Sequence, residues 1–284
     1  MSDEDLDQLL DVAREAAGVG ALTALGWLER RGALAVEQKT GPSDLVSQAD
    51  RDTEEAVRAV LARRRPGDAF LGEEGGGSGY REGGVVWVVD PVDGTTNYLY
   101  GLDGWAVSVA AVRCGPPGPE PDAPAYGQVL AGVVVEPVSG RTTWARLGGG
   151  TWCDDRRCAV RGETALDQAL VEVGLGHGAD RRFAGPLVGA LHPQVRDVRR
   201  GGSAVSALAM VATGRADAYW GPTVRVWDLA AGVLLVREAG GVVGDLAGAG
   251  EDGTVPRSGA VLASSPALFE PLRHRLRDVY EAPR

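Results

Sequence analysis

Two carboxylates three residues apart, Asp90 and Asp93, follow a run of β-branched and aromatic residues at positions 85–89. Such a run predicts a buried strand, and the proline between the two acids restricts the backbone. Gly94 then frees the backbone, and Thr95 begins a segment typical of a tight turn or a helix entry, whose free N–H groups suit an anion. Hard oxygen ligands beside such donors are what metal-assisted phosphate chemistry requires. The simpler interpretation is a strand that ends in an acidic turn.

Further acidic residues lie at the predicted ends of other elements. Glu73 and Glu74 follow a short predicted strand at 69–72, and Asp228 stands at the start of an apolar segment that predicts a helix. Taken singly, Glu73 is most simply a solvated loop acid and Asp228 an N-cap residue. The functional interpretation requires that these carboxylates converge with Asp90 in the folded chain.

The composition is that of a globular protein, and its charge limits the possible partners. With 284 residues, 44% of them hydrophobic and 24% charged, the chain can form one large domain or two lobes. The formal net charge of −10 disfavours nucleic acid or an anionic membrane as a partner. An acidic protein also repels a phosphate ester, and divalent cations held by carboxylates would reverse the sign locally. The acidic protein is therefore compatible with an anionic substrate only if bound metal ions make the site locally positive.

The sequence predicts a cytoplasmic location. No apolar run approaches the roughly 20 residues that span a bilayer, and the acidic segment 1–5 lacks the basic region of a secretory signal. The three cysteines, Cys114, Cys153 and Cys158, form no metal-ligand spacing with the histidines. Their odd number argues against a disulfide framework.

Hydrophobic periodicity predicts an antiparallel-rich first half and an α/β second half. Helices are predicted at 3–31, 50–66, 203–213, 228–239 and 265–279. Strands are predicted at 69–72, 85–89, 105–113, 128–136, 141–147, 169–173, 195–199, 216–220, 242–245 and 260–263. The glycine-rich segment 75–84 is predicted to be an exposed loop, and the proline-rich segment 115–124 to be a hairpin connection.

Five motifs, in order over about residues 5–275, resemble the inositol monophosphatase family. They are Lys39-Thr40 with residues 44–50, Gly72-Glu73-Glu74, the segment 87–98, Gly202-Ser203-Ala204 with residues 212–219, and the segment 227–232. The resemblance implies a phosphomonoesterase with the layered αβαβα sandwich of the inositol monophosphatase and fructose-1,6-bisphosphatase type, usually a homodimer. It also implies an N-terminal α+β lobe at 1–148 that carries most metal ligands and a C-terminal α/β lobe at 149–284 that supplies Asp228 and substrate contacts.

By the same resemblance, carboxylates hold two or three Mg²⁺ ions, for which Mn²⁺ is a possible substitute. Glu73, Asp90 and the Val92 carbonyl would hold the first ion, and Asp90, Asp93 and Asp228 the second. A weaker third ion would sit near Glu73. Bridging by Asp90 would bring the first two ions within roughly 3.5–4 Å of each other, as two-metal displacement requires. The resemblance further implies inhibition by lithium at the second position.

The resemblance also assigns the remaining site residues. Asp50 and Thr95 resemble the pair that orients and deprotonates the attacking water, with Glu74 in support. The backbone N–H groups of Gly94 and Thr95 would receive the phosphate. The other predicted substrate contacts are Asp93, Gly202, Ser203, Ala204 and Arg225. Attack would be in line, with no phosphoenzyme, and no Ser/His/Asp arrangement or reactive-cysteine context in the sequence favours a covalent route.

Departures from the family's pattern leave the substrate open. Gly221 stands where inositol-specific members carry a glutamate that contacts a sugar hydroxyl, so an inositol phosphate is in doubt as the best substrate. Arg225 could face an acidic leaving group or be a solvated loop arginine, and His177 is interpreted as a surface histidine. Thr96 replaces a lysine typical of histidinol-phosphate or nucleotide phosphatases. The predicted substrate is a small polyol or sugar phosphate.

The alternative substrates within the enzyme class are histidinol phosphate, fructose 1,6-bisphosphate, adenosine bisphosphate and a phosphorylated intermediate of specialised metabolism. The alternative from another class is a regulatory binding protein on a phosphatase scaffold. No nucleic-acid or membrane partner is predicted.

Overall fold

A long central strand, β5 (Val85–Asp93), is buried along its whole length. Val86 and Val88 pack in one core, and Trp87 and Val89 pack in another. A strand covered on both faces reads as a continuous apolar run, because neither face needs polar side chains. The computed structural model describes residues 1–30, 36–41, 44–117, 124–162, 165–176, 182–248, 250, 256 and 260–281.

Two large sheets and one small one contain the strands of the described residues. The eight-stranded sheet has the order β10-β9-β8-β7-β6-β5-β3-β4 and is antiparallel except for the parallel pair β3 and β5. Its other strands are β3 (Ala69–Gly72), β4 (Gly76–Ser78), β6 (Ala106–Pro117), β7 (Pro124–Glu136), β8 (Arg141–Arg146), β9 (Thr151–Cys153) and β10 (Arg156–Cys158). A two-stranded sheet pairs β1 (Val36–Gly41) with β2 (Asp44–Ser47).

The five-stranded sheet has the order β12-β11-β13-β15-β14, and its strands β12, β11 and β13 run parallel. The strands are β11 (Leu170–Val173), β12 (Asp197–Arg199), β13 (Ala218–Gly221), β14 (Val242–Gly244) and β15 (Val261–Ser264). The helices of the described residues are α1 (Asp3–Leu28), α2 (Gln48–Arg64), α3 (Thr95–Tyr100), α4 (Ala184–Leu191), α5 (Ala204–Ala212), α6 (Val226–Glu238) and α7 (Pro266–Glu281).

Helices and sheets alternate in five layers. α1 and α2 cover the outer face of the eight-stranded sheet, α5 and α6 fill the space between the two large sheets, and α4 and α7 cover the far face of the five-stranded sheet. The middle layer packs closely, since a Cβ at Gly132 of β7 would lie 2.9 Å from the Ala231 Cα of α6. This order confirms the predicted αβαβα sandwich. The division into lobes at residue 148 stays a prediction; β9 and β10 lie beyond it and pair with the eight-stranded sheet.

The structure differs from the predicted elements mainly in the short ones. β1 and β2, β4 inside the predicted loop 75–84, and the β9–β10 hairpin have no counterpart among the predictions, because three to six residues carry little periodicity. α4 contains two glycines and a proline that disfavour a helix, but Leu187 and Leu191 bury against the far core. The predicted hairpin at 115–124 is confirmed by the pairing of Pro117 with Pro124. In the described part of the chain, no helix is long and apolar enough to span a bilayer.

Candidate active site

Asp90 and Asp93 point into one site because β5 contains a bulge. Residues three apart on a regular strand face opposite sides of a sheet. Here Asp90 pairs with Ser108 and Asp93 pairs with Ala106, so β5 uses three steps where β6 uses two. The extra residue falls at the Pro-Val pair between the acids, where a proline is tolerated in a sheet. The bulge thus converts an unfavourable spacing into a pair of converging carboxylates.

Asp228 joins this pair from the middle layer. One carboxylate oxygen from each of Asp90, Asp93 and Asp228 lies within 4.8 Å of the other two. Asp228 is the third residue of α6, not its N-cap, and its Oδ2 accepts the backbone N–H of Arg225 at 2.9 Å. The convergence predicted for these three acids is therefore present in the fold, although 135 residues separate Asp93 from Asp228 in the chain.

Three carboxylates this close are electrostatically unfavourable without a cation. Burial, followed by the charges of Glu73, Asp93 and Asp228, raises the pKa of Asp90 well above its ordinary value of 3.8. Burial and the charge of Asp228 raise the pKa of Asp93 to about 8, and burial raises that of Asp228 to about 6. Oxygen-only donors that repel one another suit a hard divalent cation, which would offset both the burial and the repulsion. The cluster therefore fits a metal ion.

Glu73 and Glu74 lie on the loop between β3 and β4. The charge of Glu73 raises the pKa of Asp90, Asp93 and Asp228, which places its carboxylate near theirs. The Glu73 N–H donates to the Val89 carbonyl of β5 at 3.2 Å, so the loop is tied to the strand that carries the other acids.

A glutamate absent from the sequence-based site, Glu54, holds this loop from below. Its Oε2 and Oε1 accept the backbone N–H groups of Glu74 at 2.8 Å and of Gly75 at 2.7 Å. Glu54 is only 5% exposed, and burial raises the pKa of its carboxyl group. A Cβ at Gly72, the last residue of β3, would collide with the Glu54 carboxylate, so glycine at this position leaves room for it. Glu54 lies one turn before Val57 on the buried face of α2. An acidic residue on the buried face of an amphipathic helix is the sequence feature that could have identified Glu54.

Asp50 and Thr95 meet beside the cluster. Asp50 is buried in the first turn of α2, where its Oδ2 accepts the Ser47 N–H at 2.9 Å and the Ser47 hydroxyl at 2.6 Å. Its Oδ1 lies 3.4 Å from Thr95 Oγ1, which also lies 3.1 Å from the Val92 carbonyl oxygen. Asp50 and Thr95, predicted to activate the attacking water, therefore lie next to the Val92 carbonyl, a predicted ligand of the first ion.

Asp93 connects the bulge to the N-terminus of α5. Its Oδ2 accepts the Ser203 hydroxyl at 2.7 Å and the Val205 N–H at 2.6 Å. Ser203 is the N-cap of α5, since its Oγ accepts the Ser206 N–H at 3.0 Å. The predicted substrate contacts Gly202, Ser203 and Ala204 are therefore brought beside Asp93 by two direct hydrogen bonds.

Gly94 and Gly202 allow two turns to meet at the site. Both have positive φ, 96° and 98°, which favours glycine. Gly94 caps α3 at its N-terminus, and a Cβ there would lie 2.9 Å from the Gly104 carbonyl oxygen. The Asn97 amide donates to the carbonyls of Gly104 at 2.8 Å and Gly201 at 2.7 Å. These bonds fasten the turn after β5 to the turn before α5.

A cleft opens beside Asp93 and Asp228. Its walls include the predicted residues Gly202, Ser203 and Ala204, together with Gly221. The side chain of Arg225 is exposed, and Arg225 is not among the residues that line this cleft. His177 lies outside the described residues.

Four polar residues that were not predicted as site residues also line the cleft: Glu172, Arg200, Tyr219 and Thr223. Arg200 is exposed at the cleft, whereas Glu172 and Tyr219 are each 3% exposed. Glu172 interrupts the apolar run of β11, and an acid inside a buried strand is the signal that could have found it.

Comparison with known proteins agrees with this site. A sequence model described as "Inositol monophosphatase family" matches residues 5–281. The inositol-1-monophosphatase of Mesorhizobium japonicum is 40% identical over 231 residues, 80% of this chain and 81% of that protein. The Nus factor SuhB of Xylella fastidiosa is 38% identical over 208 residues, 72% of this chain and 70% of that protein.

Solved structures share the architecture. The crystal structure of extragenic suppressor protein suhB from Bartonella henselae superposes with a TM-score of 0.84 at 31% identity, covering 94% of this chain and 97% of that one. The match of the family model over nearly the whole sequence, the 40% identity and the shared fold lead to one conclusion. The chain belongs to the inositol monophosphatase family and is a phosphomonoesterase.

Proposed function

We propose that this chain catalyses the Mg²⁺-dependent hydrolysis of a small phosphomonoester by in-line attack of water. The observation that supports the proposal most directly is the cluster of Asp90, Asp93 and Asp228, with one oxygen from each within 4.8 Å of the others, at the edge of a cleft. Mg²⁺ prefers carboxylate oxygens and keeps several waters, which a site open to a cleft allows. Mn²⁺ is the expected substitute.

The carboxylates divide between two ions in this proposal. Glu73, Asp90 and the Val92 carbonyl would hold the first, Asp90, Asp93 and Asp228 would hold the second, and a third would bind more weakly near Glu73. When bound, such ions lower the pKa of water and offset the charge on a phosphate.

The chain's own residues prepare the nucleophile and the phosphate. The Thr95 hydroxyl accepts a proton from the attacking water while it donates its own proton to Asp50, whose Oδ1 lies 3.4 Å away. Glu74 supports this relay from the adjacent loop. The backbone N–H groups of Gly94 and Thr95, at the start of α3, face the phosphate oxygens, because the first N–H groups of a helix have no partner within it. The attack needs no phosphoenzyme.

The proposed substrate is a small polyol or sugar phosphate. Gly202, Ser203 and Ala204 would contact its leaving group from the start of α5. Arg225 is exposed next to Asp228 and could meet an acidic substituent only from outside the cleft. Histidinol phosphate, fructose 1,6-bisphosphate and adenosine bisphosphate are the alternatives within the class.

A panel of phosphomonoesters with Mg²⁺, read out as released phosphate and compared by kcat/KM, tests the proposal. We expect turnover of polyol phosphates, loss of turnover on chelation, recovery with Mg²⁺ or Mn²⁺, and inhibition by millimolar lithium. No phosphate release from any of the esters would refute the catalytic proposal and favour the alternative of a regulatory binding protein on a phosphatase scaffold. Activity indifferent to high millimolar lithium would contradict the proposed second ion.

We also propose that the protein is a cytoplasmic homodimer. The homodimer rests on the resemblance to the family, and light scattering on the purified protein tests it by a mass of about twice 29.5 kDa. The cytoplasmic location is supported by the three cysteines, each of which is a free thiol. Cell fractionation tests the location.

A further inference from the structure

A buried carboxylate, Glu172, lines the cleft from the middle of β11. The side chain is 3% exposed, and its Oε2 accepts the Gly201 N–H at 3.0 Å. Among the residues that the structure describes, no donor contacts its other oxygen, Oε1. This oxygen is not among the fully buried polar atoms without a partner, so it reaches solvent at the cleft, where a hydroxyl group of a ligand can replace water.

Tyr219 is the parallel neighbour of Glu172 on β13. Its side chain is also 3% exposed, and the described residues give its hydroxyl no hydrogen-bond partner. A Cβ at Gly221 would lie 2.5 Å from the Tyr219 hydroxyl oxygen, and a Cβ at Gly174 would lie 3.2 Å from it. The two glycines therefore make the space that the hydroxyl occupies at the cleft wall.

Tyr219 lines the same cleft as Glu172 and the cluster residues Asp93 and Asp228. Burial, and then the negative charges of Asp93, Asp228 and Glu172, raise the pKa of Tyr219 well above its ordinary value. Because all four residues line one cleft, the alcohol part of an ester whose phosphate lies at Asp93 and Asp228 can reach Tyr219 and Glu172.

We propose that Glu172 and Tyr219 form the subsite for the leaving alcohol, and that the alcohol is a neutral polyol whose hydroxyl group donates a hydrogen bond to Glu172 Oε1. This inference rests on the proposed phosphomonoesterase function and names its substrate class. A carboxylate only accepts hydrogen bonds, so it favours a hydroxyl and disfavours a second phosphate at the same place. Arg200 lies at the exposed side of the cleft, where solvent screens its charge.

The experiment compares kcat/KM for two kinds of ester at saturating Mg²⁺. Inositol 1-phosphate and glycerol 2-phosphate carry hydroxyls on the leaving group, whereas 4-nitrophenyl phosphate carries none. Glu172→Gln keeps an oxygen for the Gly201 N–H but turns a donor towards the cleft. We expect it to lower kcat/KM for the polyol esters about 10- to 100-fold, mainly through KM, and to change the aryl ester less than about twofold. Tyr219→Phe should lower the polyol values about 3- to 10-fold.

Asp217→Asn is the matched control. Asp217 is also buried and also accepts one backbone N–H of β11, from Leu170 at 2.8 Å, but it does not line the cleft. Any loss that this variant causes should be equal for the polyol and aryl esters. Thermal unfolding checks that each variant folds. If Glu172→Gln does not fold, the kcat/KM values of Tyr219→Phe for the polyol and aryl esters decide between the two interpretations.

Three outcomes would overturn the inference. Equal losses on both kinds of ester would mean that Glu172 only holds the turn at Gly201. A preference for fructose 1,6-bisphosphate that Arg200→Ala abolishes would mean that the subsite takes an anion. Wild-type protein that hydrolyses none of the esters would remove the proposed function itself, and this inference with it.

Discussion

Replacing Glu54 tests whether the loop that carries Glu73 must be held in place for metal to bind. In Glu54→Gln, one of the two oxygens that accept the N–H groups of Glu74 and Gly75 becomes an NH₂ group, which cannot accept. A hydrogen bond to a charged group contributes about 1.5–3 kcal/mol. If losing this hydrogen bond displaces the Glu73 carboxylate and weakens metal binding by the same free energy, the half-saturating Mg²⁺ concentration should rise about 10-fold or more.

The assay is phosphate release as a function of Mg²⁺ concentration, together with the unfolding temperature of each variant. Glu238→Gln is the matched control, because Glu238 also accepts two backbone N–H groups, from Gly148 at 2.7 Å and Gly150 at 2.8 Å, away from the site. Both variants should be less stable than the wild type, but only Glu54→Gln should need more Mg²⁺. An unchanged Mg²⁺ requirement in Glu54→Gln, or an equal rise in Glu238→Gln, would refute the positioning role.

Two further predictions concern the carboxylate cluster. Asp90→Asn should abolish turnover, since Asp90 is the ligand shared by both proposed ions, and a near-native rate at saturating Mg²⁺ would contradict that assignment. The raised pKa values of Asp93, about 8, and Asp228, about 6, mean that the metal-free folded state holds protons that the unfolded state releases near 3.8. The stability of the metal-free state should therefore fall as the pH rises from about 4 to 8. Mg²⁺ should consequently raise Tm more at pH 8 than at pH 5.5. Equal Tm shifts at both pH values would count against metal binding at this cluster.

Much of the scaffold could be predicted from local patterns. The long periodic segments that form α1 and α2, and the apolar run that forms β5, are long enough for their period to show which face is buried. The convergence of Asp90, Asp93 and Asp228 was suggested by the positions of these acids at the ends of elements.

The remaining parts of the site depend on contacts between distant segments. Glu54 and the loop that it holds are 20 residues apart, and Glu172 and the amide that it accepts are 29 apart. An acid at such a position looks like any other polar interruption until the fold shows which N–H group or cleft it faces. The same holds for Arg225 and Arg200, since only the packing decides which arginine lines the cleft.

The irregular pairing of β5 with β6 decides the direction in which Asp90 and Asp93 point. If β5 paired regularly with β6 at its present length, one of the two acids would turn into the apolar layer behind the sheet. A change from Val92 to another aliphatic residue would leave the number of residues between the acids, and so the bulge, unchanged. Substitutions in this segment therefore keep both acids in the site as long as they keep the bulge.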